Sequence, residues 1–308
     1  MFNTSTVGNV KVEKLKCILN YFQQLGPPGQ NSEKDHQVIS FERRFVEDKT
    51  DWASSTTKLI KVVVEPTKRI EEAHGMLQVD FANKIVGGEV FNEGALMEEI
   101  RFAIYPELII SRLFTENLKD NEVLAITGAE QFSNYEGYAE NFRYTGPSKP
   151  LQYEGDHFGR ISSFVVAMDA LHFSQIEIES QFEQINIDRE LHKAYVAFLV
   201  PPGEPNTLIA TGNWGCGVFN GDVQLKFLIQ WVAASEAGRN GMQFHTIGDE
   251  LLSQDIKAMQ DFLIKQDFNI GDLYKAMIGY HAKISEHSCL FNYLVHSITA
   301  SADSRNDE

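Results

Sequence analysis

The 308-residue chain is 43% hydrophobic and 11% aromatic, enough for one large α/β domain with a sizeable core or a domain with a smaller appendage. Its formal net charge of −16 repels polyanions at long range and argues against a general binder of duplex nucleic acid. No apolar run approaches the roughly 20 residues that span a bilayer, so no membrane association is expected.

The amino terminus, MFNTSTVGNV, lacks the basic-then-apolar pattern of a secretory signal. Leu15, Ile18, Leu19 and Phe22 recur at helical spacing and predict an amphipathic helix ended by Gly26-Pro27-Pro28. Residues 37 to 69 mix strand-like runs, QVISF and LIKVVVE, with basic residues. The pattern then becomes regular. MLQVDFA (76 to 82), EVLAIT (122 to 127), SFVVAMD (163 to 169), NTLIATG (206 to 212) and MQFHTIG (242 to 248) read as buried strands, with helical stretches at 95 to 118, 181 to 198 and 220 to 237. Such alternation predicts a largely buried sheet sandwiched between helices. Past residue 248 the chain reads as helical, Gly271 and Asp272 opening a second periodic run, and the polar tail SADSRNDE reads as loose.

Three cysteines, Cys17, Cys216 and Cys289, lie far apart without a CxxC and fit a reduced intracellular protein. The nine histidines are scattered, and His281 and His287 miss the common i, i+4 zinc spacing, so no metal is expected. Three glycine-bearing turns follow predicted strands: FANKIVGGEVFNEG, TGAEQF and TGNWGCGVFNGD. None is a Walker loop or a complete GxGxxG fingerprint. Turns of this kind let backbone amides approach a phosphate, and a following helix adds its positive end. An anionic ligand on so acidic a chain needs a local site of this sort.

Glu98 and Glu99 fall in the first turns of the helix that continues IRFAIYPELIISRLF. Acids there interact favourably with the helix dipole, which is sufficient reason for their presence. The apolar neighbours Met97, Ile100, Phe102 and Ala103 also point to partial burial, which with a neighbouring like charge raises a carboxyl pKa towards that of a proton donor. Adjacent residues on a helix point about 100° apart, so the two glutamates take different tasks. Pattern alone leaves both readings open.

These residues resemble the poly(ADP-ribose) glycohydrolase family. Its signature, a triple glycine followed at fixed spacing by Gln-Glu-Glu, stands here as Gly87-Gly88-Glu89 and Met97-Glu98-Glu99. GMLQVDFANKIVGG, EEIRFAIYPELIISRLFTE, ITGAEQFSNYEGYAE, MDALHF and TGNWGCGVFNGD are similar to family blocks, and KCILNYF, SFERR and GDLYKAMIGY to its flanking segments, so the resemblance runs from about residue 12 to 285. It implies a macrodomain-like mixed sheet sandwiched between helices over residues 70–290, with a partly helical accessory region at 1–69 packed on it and a C-terminal segment at 291–308. It also implies hydrolysis of ribose–ribose bonds in poly(ADP-ribose) without a metal or cofactor. Carried over by position, Glu99 matches the catalytic acid/base and Glu98 the neighbour that binds ribose hydroxyls. Asn83 matches the ribose-positioning asparagine and Tyr138 a substrate-contacting tyrosine. Gly87 and Gly88 belong to the first loop, and Asn213, Gly215, Gly217 and Phe219 to the second, diphosphate-side loop. Glu71 is the nearest candidate for the adenine-edge acid. The implied partners are poly(ADP-ribose) and ADP-ribosylated proteins, and the protein is expected to be an intracellular monomer, nuclear or cytosolic.

Two positions depart from the signature. Glu89 replaces the third glycine, where its carboxylate repels diphosphate at close range and its Cβ makes any positive φ costly. Met97 replaces the glutamine, removing an amide while keeping volume. An ADP-ribose reader of the same fold without turnover is therefore the main alternative. A nucleotide-sugar binder or phosphatase-like hydrolase is disfavoured because no phosphoryl-transfer constellation is visible. Cys216 reads as a packed thiol rather than a nucleophile, while Trp214 and Phe219 read equally as core or as ligand-stacking rings. Tyr135 carries the same ambiguity.

Overall fold

The computed structural model of the protein describes residues 10–27, 36–149 and 155–306. Nine strands are described: β1 (Ser40–Phe45), β2 (Val62–Glu65), β3 (Leu77–Ala82), β4 (Glu122–Thr127), β5 (Ser133–Glu136), β6 (Arg143–Pro147), β7 (Phe164–Asp169), β8 (Ile209–Gly212) and β9 (Met242–His245). The helices are α1 (Val10–Leu25), α2 (Met97–Ile104), α3 (Gln184–Phe198), α4 (Val223–Glu236), α5 (Glu250–Lys265), α6 (Ile270–Gly279) and α7 (Leu290–Asn306). Seven strands form one mixed sheet in the order β1–β4–β7–β3–β8–β9–β2, and β5 and β6 form a separate antiparallel pair. Within the sheet, β4 runs antiparallel to β7, whereas β3–β8, β8–β9 and β9–β2 are parallel. All six residues of β4 are buried and five of the six in β7, as expected of strands covered on both faces. No described helix is long and apolar enough to cross a membrane.

The chain divides into two compact units. One gathers the described residues up to Arg44 with Val79–Lys119 and Val123–Asp169; the other gathers Phe45–Gln78, Asp120–Glu122 and the described residues from Ala170 onward. The region 1–69, expected as an amino-terminal accessory, is thus divided between them after Arg44. In the first unit the core is built from Ile100, Phe102, Ala103 and Ile104 of α2 with Leu124, Ile126, Val165 and Ala167 of the sheet. In the second unit α3 packs on α4, α6 and α7 lie against α4, and α5 lies against β2. Its core centres on Phe227, which meets Trp231 at 5.4 Å and Phe244 edge-on at 5.2 Å between ring centroids.

Element ends follow local chemistry. The helix expected over 95 to 118 is shorter: α2 stops at Ile104 and a 3-10 turn follows over Pro106–Leu113. Pro106 lacks an N–H and steers Tyr105 out of the helical region, which ends the α-helix there. Asp222 and Asp249 cap α4 and α5, their carboxylates accepting from the Leu225 and Leu252 N–H groups at 2.8 and 2.9 Å. At the carboxyl end the backbone stays helical to Asn306, so most of the stretch expected to be loose is part of α7; Asp307 and Glu308 lie outside the described residues.

The first helix departs furthest from its pattern. It forms as expected and gives way to Gly26 at φ 68°, though Pro28 lies outside the described residues. An amphipathic helix ordinarily turns its apolar stripe inward, but Leu15, Leu19 and Phe22 are exposed and the buried residues are Val10, Glu13, Lys14, Cys17 and Asn20. The inward polar groups have partners that spacing cannot supply. Glu13 accepts from the Tyr144 N–H at 3.0 Å, and the Asn20 amide donates to the Phe132 carbonyl at 2.8 Å and to Ser133 Oγ at 3.0 Å. Leu19→Gln is therefore expected to change stability by less than about 0.5 kcal/mol. Asn20→Ala, which leaves a buried carbonyl with one partner fewer, is expected to cost about 1–3 kcal/mol. Denaturant unfolding of both variants reads the difference, and the reverse ranking would restore the apolar stripe as the packed face.

Candidate active site

In the first unit the site begins where β3 ends. Asn83 follows the strand directly, and its Oδ1 accepts from the Ile85 N–H at 3.0 Å, tightening the exit. A run of turns continues: the Gly88, Val90 and Asn92 N–H groups donate to the carbonyls of Ile85, Gly87 and Glu89 at 2.9, 3.0 and 2.8 Å. Gly87 and Gly88 adopt φ 87° and 45°, the left-handed region that glycine enters without strain. A Cβ on Gly88 would lie 2.5 Å from Glu99 Oε1 and 2.8 Å from Glu98 Oε2. The glycine is therefore what lets the loop backbone lie against both carboxylates.

The two glutamates are buried at the start of α2, 4% and 8% exposed, and they divide the loop amides between them. Glu98 accepts from the Asn83 N–H at 2.9 Å and the Gly87 N–H at 2.5 Å. Glu99 accepts from the Glu89 N–H at 3.1 Å and, reaching back as a third helical residue does, from the Leu96 N–H at 2.9 Å. Glu99 thus satisfies a free amide at the helix start, as the helix-end reading expects, and also takes an amide of the glycine loop.

Beneath them lies Asp80 of β3, fully buried, neither of whose carboxyl oxygens has a hydrogen-bond partner among the described residues. Burial pushes its carboxyl up from 3.8 to about 7, with Arg101 pulling down and Glu99 adding to the rise. Burial, with Asp80 second, also pushes Glu98 well above the ordinary carboxylate range, against the Asn83 and Gly87 N–H groups. Burial thus favours the protonated form of both groups, but both oxygens of Glu98 accept backbone donors that favour its charge, and neither oxygen of Asp80 does. Tyr138 opens the 3-10 turn Ala139–Asn141 and is 54% exposed; burial of its hydroxyl and, next, the Glu99 charge push its pKa up.

Several expectations resolve here. Glu89 is exposed and does not adopt a positive φ, so the feared backbone strain does not arise: the left-handed turn is confined to the two glycines that remain. Met97 does not leave its surroundings empty, because the Phe81 N–H lies 3.4 Å from its sulfur. Tyr135 is partly buried against the core, its ring tilted on Phe142 at 5.7 Å, which makes it packing. Spacing had pointed neither to Asp80 nor to Arg112, which donates to the Gly88 carbonyl at 2.6 Å while its guanidinium covers the Phe91 ring at 5.6 Å. An aspartate in a largely apolar strand was the available signal for the first. Arg112 carried none.

The second unit holds the loop after β8. Gly215 (φ 73°) accepts the Gly221 N–H at 2.9 Å, and a Cβ there would meet Ala170 Cβ at 2.6 Å. Gly217 stands in open space and closes a turn with the Asn220 N–H at 3.0 Å. Asn213 Oδ1 is buried without a hydrogen-bond partner among the described residues. Phe219 is half-buried, edge-on to His172 at 5.6 Å, and its carbonyl accepts from the Phe173 N–H at 3.1 Å. Trp214 is fully buried beneath the Lys226 ammonium, 4.2 Å from the ring centroid, so it is core and not a stacking platform. Lys226 in turn donates to Glu190 at 2.5 Å, which also accepts the Leu171 N–H at 2.7 Å. Burial pushes the Cys216 thiol up to about 12, which removes the thiolate a nucleophile needs. Glu71 is buried on the 3-10 turn Ile70–Glu72, which lies against β8. The first unit thus gathers Asn83, Gly87, Gly88, Glu98, Glu99 and Tyr138, and the second carries Asn213, Gly215, Gly217 and Phe219 on one loop.

Two outcomes test this geometry. Gly88→Ala forces a Cβ against both carboxylates at a left-handed φ and is expected to cost about 1–3 kcal/mol in denaturant unfolding; wild-type stability would mean that the loop does not lie on the glutamates. For Asp80, the folded state binds a proton between 3.8 and about 7 that the unfolded chain has released. Its contribution is therefore lost as pH rises through that window. Asp80→Asn is expected to flatten the fall in Tm between about pH 4 and about pH 7; equal slopes in variant and wild type would place the proton elsewhere.

Comparison with known proteins bears on this arrangement. The sequence model of the poly(ADP-ribose) glycohydrolases, macro domain fold, matches residues 49–254, more than half of the chain. The chain is 31% identical over 334 residues to a probable poly(ADP-ribose) glycohydrolase 2 of Arabidopsis thaliana, covering 93% of this chain and 63% of that protein. It is 33% identical over 276 residues to poly(ADP-ribose) glycohydrolase 1 of Caenorhabditis elegans, covering 86% of this chain and 35% of that one. The chain therefore spans less than two thirds of the length of these curated relatives. A crystal structure of poly(ADP-ribose) glycohydrolase from Deinococcus radiodurans in complex with ADP-ribose aligns over 79% of this chain and 100% of that one, at 14% identity and a TM-score of 0.39, a likeness too loose to argue from. With the family model matched across residues 49–254, the chain belongs to the poly(ADP-ribose) glycohydrolase family and has a macro domain fold.

Proposed function

We propose that the protein hydrolyses the ribose–ribose O-glycosidic bonds of poly(ADP-ribose) and releases ADP-ribose, with Glu99 acting first as general acid and then as general base. The observation that carries the reading is the Glu99 carboxylate, buried beside Glu98 and fixed by the Glu89 and Leu96 amides at 3.1 and 2.9 Å. Cleavage of a glycosidic bond through an oxocarbenium-like transition state requires a proton for the departing oxygen and activation of a water. Glu99 is proposed to supply both in turn. Glu98, its two oxygens already oriented by Asn83 and Gly87, is proposed to hold the ribose hydroxyls at the scissile bond. Backbone amides of the loop Asn213–Asn220 are proposed to receive the diphosphate, which suits a chain of net charge −16 better than a basic groove. The partners on this reading are poly(ADP-ribose) and the proteins that carry it, inside the cell.

The assay is release of free ADP-ribose from purified poly(ADP-ribose) by the wild type, Glu99→Gln and Glu89→Gly. Glu99→Gln is expected to lower release by about 10²- to 10⁴-fold, the usual contribution of a positioned acid/base. Because Glu89 is exposed and unstrained, Glu89→Gly is expected to raise affinity for the polymer without being needed for turnover. No release by the wild type together with measurable ADP-ribose binding would replace the hydrolase by a reader of the same fold.

A further inference from the structure

The candidate acid/base is only as well placed as the loop that holds it. Residues 89–94 contain no regular element, and their backbone meets Glu99 at close range: the Glu89 N–H donates to Oε1, and a Cβ on Gly94 would lie 3.2 Å from the Glu99 carboxyl carbon. Inside the loop the Asn92 N–H donates to the Glu89 carbonyl at 2.8 Å, and a segment without a ladder of its own gains further order from donors outside it.

One such donor comes from far away in sequence. Lys14 of α1 is 2% exposed, and its ammonium donates to the Glu89 carbonyl at 3.1 Å and to the Gly94 carbonyl at 2.5 Å. The two carbonyls stand at the two ends of the loop. Glu89 is bonded on both sides of its residue: its N–H to Glu99, its C=O to Lys14. Gly94 lies two residues before Leu96, whose N–H holds the other oxygen of Glu99. The ammonium therefore ties down the segment that carries both amide donors of Glu99. Its surroundings keep the cation in place. Burial draws the Lys14 ammonium down from its ordinary pKa, and the charges of Glu99, Glu93 and Glu89 oppose that, with Lys11 acting in the same direction as burial. Only the inward turn of the polar face of α1 makes the contact; with the Leu15–Leu19–Phe22 stripe inward, Lys14 would face water.

We infer that Lys14 is a positioning residue for Glu99: by clasping the Glu89 and Gly94 carbonyls from α1, it fixes the two backbone amides that orient the Glu99 carboxylate. Lys14 does not touch substrate. Its role in turnover rests on the proposed function of Glu99, whereas its role in ordering the loop does not.

The test compares the wild type with Lys14→Met, Lys14→Gln and Lys11→Met, which removes the exposed ammonium of the same helix that pairs with Glu93 of the loop at 2.9 Å. Two readouts are taken on protein held well below its Tm: steady-state release of ADP-ribose from poly(ADP-ribose), and hydrogen exchange of the amides across residues 87–99. Both Lys14 variants are expected to lower kcat about 10- to 100-fold with KM within about threefold, since a misplacement of an ångström or less has that effect on the chemical step. The Glu89 and Leu96 amides are expected to exchange about tenfold faster or more. Lys11→Met is expected to stay within about twofold of the wild type in both readouts. A lower Tm with kcat and exchange unchanged in Lys14→Gln would overturn the inference and leave Lys14 a purely structural residue, and equal losses in Lys11→Met would overturn it in favour of net charge or the exposed Lys11–Glu93 pair. If the wild type releases no ADP-ribose, the hydrolase reading fails, and the exchange readout alone then decides whether Lys14 orders the loop. Lys14→Gln carries the decision should Lys14→Met not fold.

Discussion

Two carboxylates buried side by side at the start of a helix set the terms for everything around them. Water is largely removed, so their charge and lone pairs need donors from the protein, and four backbone amides provide them: Asn83 and Gly87 for Glu98, Glu89 and Leu96 for Glu99. Three of the four lie in the stretch between β3 and the Glu89 turn. The left-handed φ of Gly87 and Gly88 makes that stretch possible, and the missing side chain of Gly88 leaves room for the carboxylates. The helix start, the glycine turn and the exit of β3 are one device.

Buried charge recurs as the means of fixing loops. In the first unit Arg112 takes the Gly88 carbonyl and Lys14 the carbonyls of Glu89 and Gly94. In the second, the Lys226 ammonium lies over the Trp214 ring and pairs with Glu190, which also binds the Leu171 amide. In the first unit the cations reach irregular backbone directly, whereas in the second Lys226 meets it through Glu190. Removing one member would leave its partner buried without compensation, which is the arrangement under which such groups matter most. Asp80 is the exception, a carboxyl without a donor among the described residues, whose pKa burial pushes up to about 7.

The two departures from the family signature fall where the architecture absorbs them. Glu89 takes the third glycine's place at a position without positive φ, and its side chain is exposed while its amide keeps the bond to Glu99. Met97 replaces an amide by a sulfur that the Phe81 N–H approaches. Neither change disturbs the four amides on the glutamates, and this is why hydrolysis, and not silent binding, is the proposal.

Much of the fold was legible in the sequence because its strands are buried on both faces: uninterrupted apolar runs such as EVLAIT and SFVVAMD appear as β4 and β7 within a residue of their expected bounds. Pro106, visible in the sequence, ends α2 earlier than apolar periodicity suggested. For the candidate site, the signature fixed Gly87, Gly88, Glu98 and Glu99, since glycine before a helix and paired acids at its start are local patterns set by backbone conformation and helix-end electrostatics. What lay beyond the sequence are the pairings between distant segments. The apolar stripe of α1 pointed to the wrong inward face, because Glu13, Lys14 and Asn20 find their partners 75 to 131 residues away, among Glu89, Gly94, Phe132 and Tyr144. Trp214 became core and Cys216 inert only once Lys226 and the surrounding burial were in place. The sequence by itself determined which backbone turns and which acids this protein has. Only the tertiary structure decided which amides, ammonium groups and neighbouring carboxyls those acids meet, because desolvation and hydrogen bonding act through space and not along the chain.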